Sequence, residues 1–245
     1  MSNSKAMLLT LAVLGVLLAC LSGGVEAGLF GFGGDSWQEE VLLHDGTKMV
    51  VTRSQTYGGR REVGQPPPIK EHTIAFTPPG LDKRITWTSE YGEDLGRTNF
   101  HLLAVHVLNG TPYLVTEPNL CLSYNKWGRP NPPYVFFKYD GTAWQRIPLE
   151  AFPTEFTTIN VALSIIGREG TELVRQGFVL AEKIKELNRH TVNPDHKTIL
   201  REPMKLGTEG SAVNCQEMIH YKCGWFGTSP DGKFNKEFAD RMCNK

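Results

Sequence analysis

From Trp37 to about residue 150 apolar and polar positions alternate with a period of two, and turn-forming residues interrupt the alternation, a pattern that predicts successive β-hairpins. Glu39 to Leu43 and Lys48 to Arg53 flank Asp45-Gly46, a pair that tolerates the positive φ angles of type I′ turns. His72 to Thr77 and Arg84 to Thr88 flank Pro78-Pro79-Gly80; His101 to Leu108 and Pro112 to Thr116 flank Asn109-Gly110; Tyr134 to Tyr139 and Trp144 to Leu149 flank Asp140-Gly141. The segments around these turns do not match one another, so the chain reads as a meander rather than a repeat. In Thr157 to Ile165 the apolar face Ile159, Val161, Leu163 and Ile165 predicts a ninth strand. Phe100 to Leu108 is apolar on both faces and is expected as a central, doubly covered strand. The expected fold is mostly β, an antiparallel β-sandwich or partly open barrel built from successive hairpins.

Beyond Gly170 the period lengthens. Leu173, Gly177, Leu180, Ile184 and Leu187 form one stripe on a helix of about 18 residues that ends before Asn193-Pro194. The expected organisation is a signal peptide over 1–27, a glycine-rich leader over 28–36, the β domain over 37–165, the amphipathic helix over 166–190, a polar connector over 191–210 and a helical, cysteine-bearing tail over 211–245.

The start of the chain carries the most specific signal. Ala6 to Leu21 is uncharged and follows Lys5, and Val25-Glu26-Ala27 is an A-x-A-like cleavage site, the tripartite pattern of an export signal. Sixteen helical residues reach about 24 Å, short of the roughly 30 Å hydrocarbon core, which leaves an uncleaved membrane anchor as the weakest of three outcomes. Leu17-Leu18-Ala19-Cys20 offers a second outcome, a lipobox whose Cys20 would be acylated and anchor the protein to a membrane. Either outcome makes the chain exported, periplasmic or lipid-anchored, and leaves Cys121, Cys215, Cys223 and Cys243, an even set suited to disulfides.

If Ser211 to Lys222 is helical, Cys215 and Cys223 lie about 12 Å apart, too far to bond. A second helix over Lys233 to Met242, returning antiparallel, brings Cys243 to Cys215, so a Cys215–Cys243 bond is expected, with Cys121 and Cys223 stapling the tail to the β domain or staying reduced. The alternative for this segment is a zinc-binding C-terminal module formed by Cys215, His220, Cys223 and Cys243, although their spacing lacks the tight pairs of zinc modules.

Composition narrows the function. The 245 residues are 40% hydrophobic with 26 basic against 26 acidic side chains, enough apolar material for a core and no global charge for gripping nucleic acid. G-x-S-x-G, H-E-x-x-H, P-loop and G-x-G-x-x-G motifs are absent from the sequence, and the S-x-x-K of Ser123 to Lys126 lacks its companion motifs. His101 and His106, five apart on one strand, should face opposite ways unless a bulge intervenes; His106 reads as a hydrogen-bonded core residue, and His190 and His196 as solvated. No catalytic residue, metal or cofactor is expected.

The best recognition candidate is the proline-stiffened loop Tyr124 to Tyr134, where Trp127, Arg129 and Tyr134 combine flat apolar faces with donors. Those three residues bind a partner, or else Trp127 and Tyr134 cap the open end of the sandwich. The loop Gln55 to Pro68, with Arg60-Arg61 and three consecutive prolines, could join it as a mobile rim. Here NKWGRPNPPYVFFKYDG, followed by WQRIPLEAFP, resembles segments of an uncharacterised family of exported bacterial proteins, a likeness over roughly residues 37 to 165 that implies a secreted bacterial origin and no particular activity. The reading is a non-enzymatic binding or structural component of the cell envelope whose partner is an envelope protein or polymer; the alternative is a hydrolase acting on envelope polymers.

Overall fold

The computed structural model describes residues 34–61, 63–163, 168–191 and 193–244, so the signal segment, Cys20 and most of the glycine-rich leader lie outside the described residues. The elements in chain order are β1 (Gly34–Leu42), β2 (Lys48–Tyr57), β3 (Ile69–Phe76), β4 (Ile85–Ser89), β5 (Tyr91–Gly92), β6 (Arg97–Thr98), β7 (Phe100–Leu108), β8 (Thr111–Pro118), α1 (Leu120–Lys126), β9 (Val135–Tyr139) and β10 (Trp144–Ile147). There follow α2 (Arg168–Gln176), β11 (Phe178–Val179), α3 (Ala181–Arg189), β12 (Met218–Tyr221), β13 (Gly224–Gly227) and α4 (Lys236–Cys243).

All four expected hairpins form. At Asn109-Gly110 both residues take positive φ, as a type I′ turn requires, whereas at Asp45-Gly46 and Asp140-Gly141 only the glycine does. The hairpins assemble into a five-stranded sheet, β11-β1-β2-β3-β4, and a four-stranded sheet, β10-β9-β8-β7. Neither closes into a barrel. Val41, Val51, Ile74, Phe76 and Trp87 from the first sheet pack against Phe100, Leu102, Val105, Leu114 and Phe137 from the second, forming a sandwich core. The far face of the second sheet is also covered, by Phe152, Phe156 and Ile199 on Leu103, Tyr113, Val115 and Phe136.

Strand β7 is buried on both faces as expected, but it is an edge of its sheet rather than its centre. Its open side is met by a side chain. The Asn160 amide accepts from Val105 N at 2.9 Å and donates to Val105 O at 2.7 Å, reproducing what a neighbouring strand would supply. That pairing is why the segment expected as a ninth strand, Thr157 to Ile165, forms no ladder over its described part.

Residues 157–163 instead run as an irregular strap whose backbone groups are taken by side chains. Ala162 N donates to Glu39 Oε2 and its carbonyl accepts from Arg53, while the Asn188 amide bonds Val161 O and Leu163 N. Arg53 and Glu39 form a buried ion pair at 2.9 Å, with the Trp37 indole also donating to Glu39. Ile165 lies outside the described residues.

The single long helix expected over 166–190 is two helices. Gly177, at φ 75°, ends α2, and the short β11 then pairs parallel to β1 before α3 begins. Leu173, Val179 and Ile184 meet on Trp37 and Ala162 with Leu187 packed beside them, whereas Leu180, expected in the same stripe, is 53% exposed: the break at Gly177 puts Val179 in its place.

The tail departs furthest from expectation. Residues 211–222 hold a short 3-10 turn and strand β12 rather than a helix, and Gly224 opens β13 instead of stopping a helix. The second expected helix is present as α4. The bonds are Cys121–Cys215 and Cys223–Cys243, with Cα separations of 5.3 and 5.5 Å, in place of Cys215–Cys243. A hairpin, not a helix, carries Cys223, and it folds that cysteine back onto the end of α4 while Cys215 is left beside α1. With all four sulfurs bonded, the cysteine–histidine zinc set does not exist.

His106 is fully buried, stacked on Phe156 with Nε2 on Thr158 O, and burial pulls its pKa down to about 4. His72 and His101 are lowered by burial as well. Groups depressed below their unfolded value of about 6.5 stabilise the fold above that pH, and this stability is lost as pH falls toward their folded pKa. Urea unfolding should therefore show stability declining from pH 6.5 to 4. A His106→Gln variant should lose about 3 kcal/mol less over that range, from a displacement of 6.5 to about 4 at about 1.4 kcal/mol per pH unit. A decline unchanged by the substitution would contradict the assignment.

Candidate functional site

The inner face of the first sheet changes character along its strands. At one end it presents Val41, Val51, Ile74 and Phe76; two residues further along the same faces come Glu39, Arg53, Gln55 and His72, all buried. This polar seam continues across the sandwich. The His72 and His101 rings meet at 3.3 Å between Nε2 and Nδ1, and His101 Nε2 lies 2.9 Å from Asn119 Oδ1. Because Asn119 donates through Nδ2 to Thr98 O, its Oδ1 accepts, which puts the His101 proton on Nε2 and makes His72 Nε2 the donor to His101. Both imidazoles are neutral, the state that burial favours.

Asn119 also lines a cavity of about 850 Å³ at the polar end of the sandwich. Its walls are Asp35 and Tyr57 at the ends of β1 and β2, the 58–68 loop with Arg60, Arg61 and the three prolines, Arg97 on β6, and Leu120 and Leu122 on α1. The fold brings these together because Gly59 packs directly against the Gly96 backbone, an approach a Cβ would block, and Arg60 N donates to Gly96 O at 2.9 Å. The three guanidinium groups have no ion-pair or hydrogen-bond partner among the described residues. The one carboxylate among the described wall residues, Asp35, is already bonded by the Tyr57 hydroxyl, whose pKa is pushed up to about 12 by burial and then by that carboxylate.

Part of the lining is apolar, from Ile69, Leu95, Leu120, Leu122 and the prolines. Leu120 is 61% exposed and held at φ 63°, a left-handed conformation that costs a non-glycine residue of the order of 1 kcal/mol or more. Guanidinium groups without a partner among the described residues thus line the same cavity as exposed leucine and proline surface, a chemistry suited to an anion with an apolar body.

The residues singled out from sequence lie elsewhere. Trp127 follows α1, packs on Phe100 at 4.5 Å between ring centres and donates to Asn99 Oδ1. Arg129 donates to Asn125 Oδ1 and to Cys215 O, and lies over the Tyr124 ring. Tyr134 is buried and donates to Asp195 O at 2.8 Å, its phenol held well above the usual range by burial. Trp127 joins the core between the sheets and Tyr134 the cluster outside the second sheet, while Arg129 ties the loop to the tail. Ser123, of the S-x-x-K motif, is buried on Asn99 O, and Lys126 pairs with Asp94.

Arg60, Arg61 and Pro66 to Pro68 of the Gln55–Pro68 segment line the cavity, but no residue of Tyr124 to Tyr134 does, so the two loops do not share a rim there; Gln55 to Tyr57 are the end of β2. Asp35, Arg97, Asn119 and Leu120 had no local signal, since they converge from β1, β6 and the start of α1. His196 is not the solvated residue expected: its Nε2 lies 2.7 Å from Glu117 Oε2 and the ring is mostly buried. The bulge between Leu102 and Ala104 turns His101 to the same face as His106, yet each ring has different partners. Comparison of this chain with protein-family models, with curated proteins and with solved structures finds no match.

Proposed function

We propose that this protein is an exported, non-enzymatic binding component of the bacterial cell envelope, and that it holds an amphiphilic anion, a phosphate or carboxylate carried on an apolar body, in the arginine-rimmed cavity. The observation that carries the reading is the set of three arginines, Arg60, Arg61 and Arg97, without ion-pair or hydrogen-bond partners among the described residues, around a cavity that is partly lined by leucine and proline. Guanidinium groups bind such anions through paired, charge-assisted hydrogen bonds. The two disulfides point to an oxidising, non-cytoplasmic compartment. Among the described residues no helix is long and apolar enough to cross a membrane. Periplasmic residence and removal of 1–27 belong to the proposal. The hydrolase alternative has less support, because the cavity's described walls carry only the one, already bonded carboxylate.

Titration calorimetry with octyl phosphate below its micellar concentration should give saturable binding of one molecule per chain, with octyl glucoside giving none. The R60A/R61A/R97A variant should bind at least about 10-fold more weakly, the order expected for lost charge-assisted bonds, while its unfolding midpoint stays close to that of the parent because these side chains have no partners among the described residues. Equal binding of the neutral detergent, or an unaffected triple variant, would contradict the proposal. For export, the intact mass of the native protein should correspond to a chain beginning at Gly28; added acyl mass on Cys20 would replace the soluble form with a lipoprotein.

A further inference from the structure

A second cluster lies on the other side of His101. Glu117, near the end of β8, and Asp195 and His196, on a 3-10 turn over Pro194–His196, bring one donor atom each to within 4.8 Å of one another. Asp195 is 2% exposed, and its Oδ1 has no hydrogen-bond partner. A buried carboxylate oxygen without a partner is costly, and here a second carboxylate stands beside it. His196 bonds Glu117 at 2.7 Å and attracts Asp195, but no hydrogen bond among the described residues reaches Asp195 Oδ1. A divalent cation would neutralise both carboxylates and take the lone pair of His196 in a single step.

We propose that Glu117, Asp195 and His196 bind a divalent transition-metal ion, zinc being the one whose preferences the set meets best. One imidazole nitrogen and two carboxylates suit zinc, with a fourth position left for water, whereas calcium requires six or more oxygens. Zinc bonds of about 2.1 Å place tetrahedral donors about 3.4 Å apart, so donors at the 4.8 Å limit close by about 1.4 Å while His196 Nε2 and Glu117 Oε2, now 2.7 Å apart, open by about 0.7 Å, changes that side-chain rotation supplies. The turn itself is held in place. Tyr134 donates to Asp195 O, Lys197 N to Pro194 O, and Ile199 N to Thr157 O. His196 also lines a cavity of about 640 Å³, which gives the ion an approach from solvent. The ion would pin the 191–210 connector to the end of β8, a cross-link independent of both disulfides and of the anion cavity. It would bind at histidine and carboxylates, with none of the tail cysteines.

The test uses untagged protein stripped with a chelator and then titrated with zinc chloride alone at pH 7.5. One zinc per chain should bind with micromolar or tighter affinity and raise the unfolding temperature. Asp195→Asn and Glu117→Gln should each weaken binding at least 10-fold and abolish that rise, while His220→Ala in the tail leaves both unchanged. Metal-free Asp195→Asn should unfold no lower than the parent, since it removes the repulsion between two neighbouring carboxylates, one of them buried with an oxygen that no hydrogen bond reaches. Cobalt substituted for zinc should give a visible spectrum that Glu117→Gln alters. Absence of binding, binding that survives both carboxylate variants, or loss through His220→Ala would overturn the proposal.

Discussion

The bond between Cys121 and Cys215 is the constraint to which most of this molecule answers. It closes a loop of 94 residues, for which chain entropy alone contributes about 4–5 kcal/mol. Cys121 lies in α1 between Leu120 and Leu122, both on the wall of the arginine cavity, so the crosslink holds that wall from behind. Asn125, one turn further on, reinforces it by donating to Cys121 O and Gln216 O and accepting from Met218 N. The tail is therefore part of the site's scaffold. Its own bond, Cys223–Cys243, closes a small unit of hairpin and helix around Tyr221, Phe226 and Phe234.

Buried polarity gives the sandwich its functional direction. Glu39 and Arg53 are enclosed as an ion pair, and removing one partner of such a pair costs of the order of 3–5 kcal/mol because the other is left unanswered. These residues cannot be exchanged for apolar ones without also freeing the strap they hold at Ala162. Beyond them the seam of His72, His101 and Asn119 leads to the cavity on one side and to Glu117 and His196 on the other. The two candidate binding sites are thus neighbours through one buried histidine.

Much of the fold was legible because hairpins are local. Alternation shows which face is buried, and Asn109-Gly110 or Asp140-Gly141 marks the turn. What escaped depended on single residues acting over distance. Asn160 uses its side chain to imitate a strand, so the apolar alternation of Thr157 to Leu163 is real while the ladder is not. Gly177 was read as a small residue in a stripe when its positive φ ends the helix. The bulge at Leu103 reverses the faces of the residues before it, which no count of spacing reveals. Of the candidate site, only Arg60, Arg61 and the prolines were visible, as a polar loop; Arg97, Asp35 and Asn119 join them solely through the tertiary fold.

The measurement that bears most directly on this account is peptide mapping of the non-reduced protein recovered from its native compartment. The structure requires a peptide pair joined through Cys121 and Cys215 and a second joined through Cys223 and Cys243. Four free thiols, or a Cys215–Cys243 bond, would remove the support of the cavity wall and the argument for an oxidising compartment together.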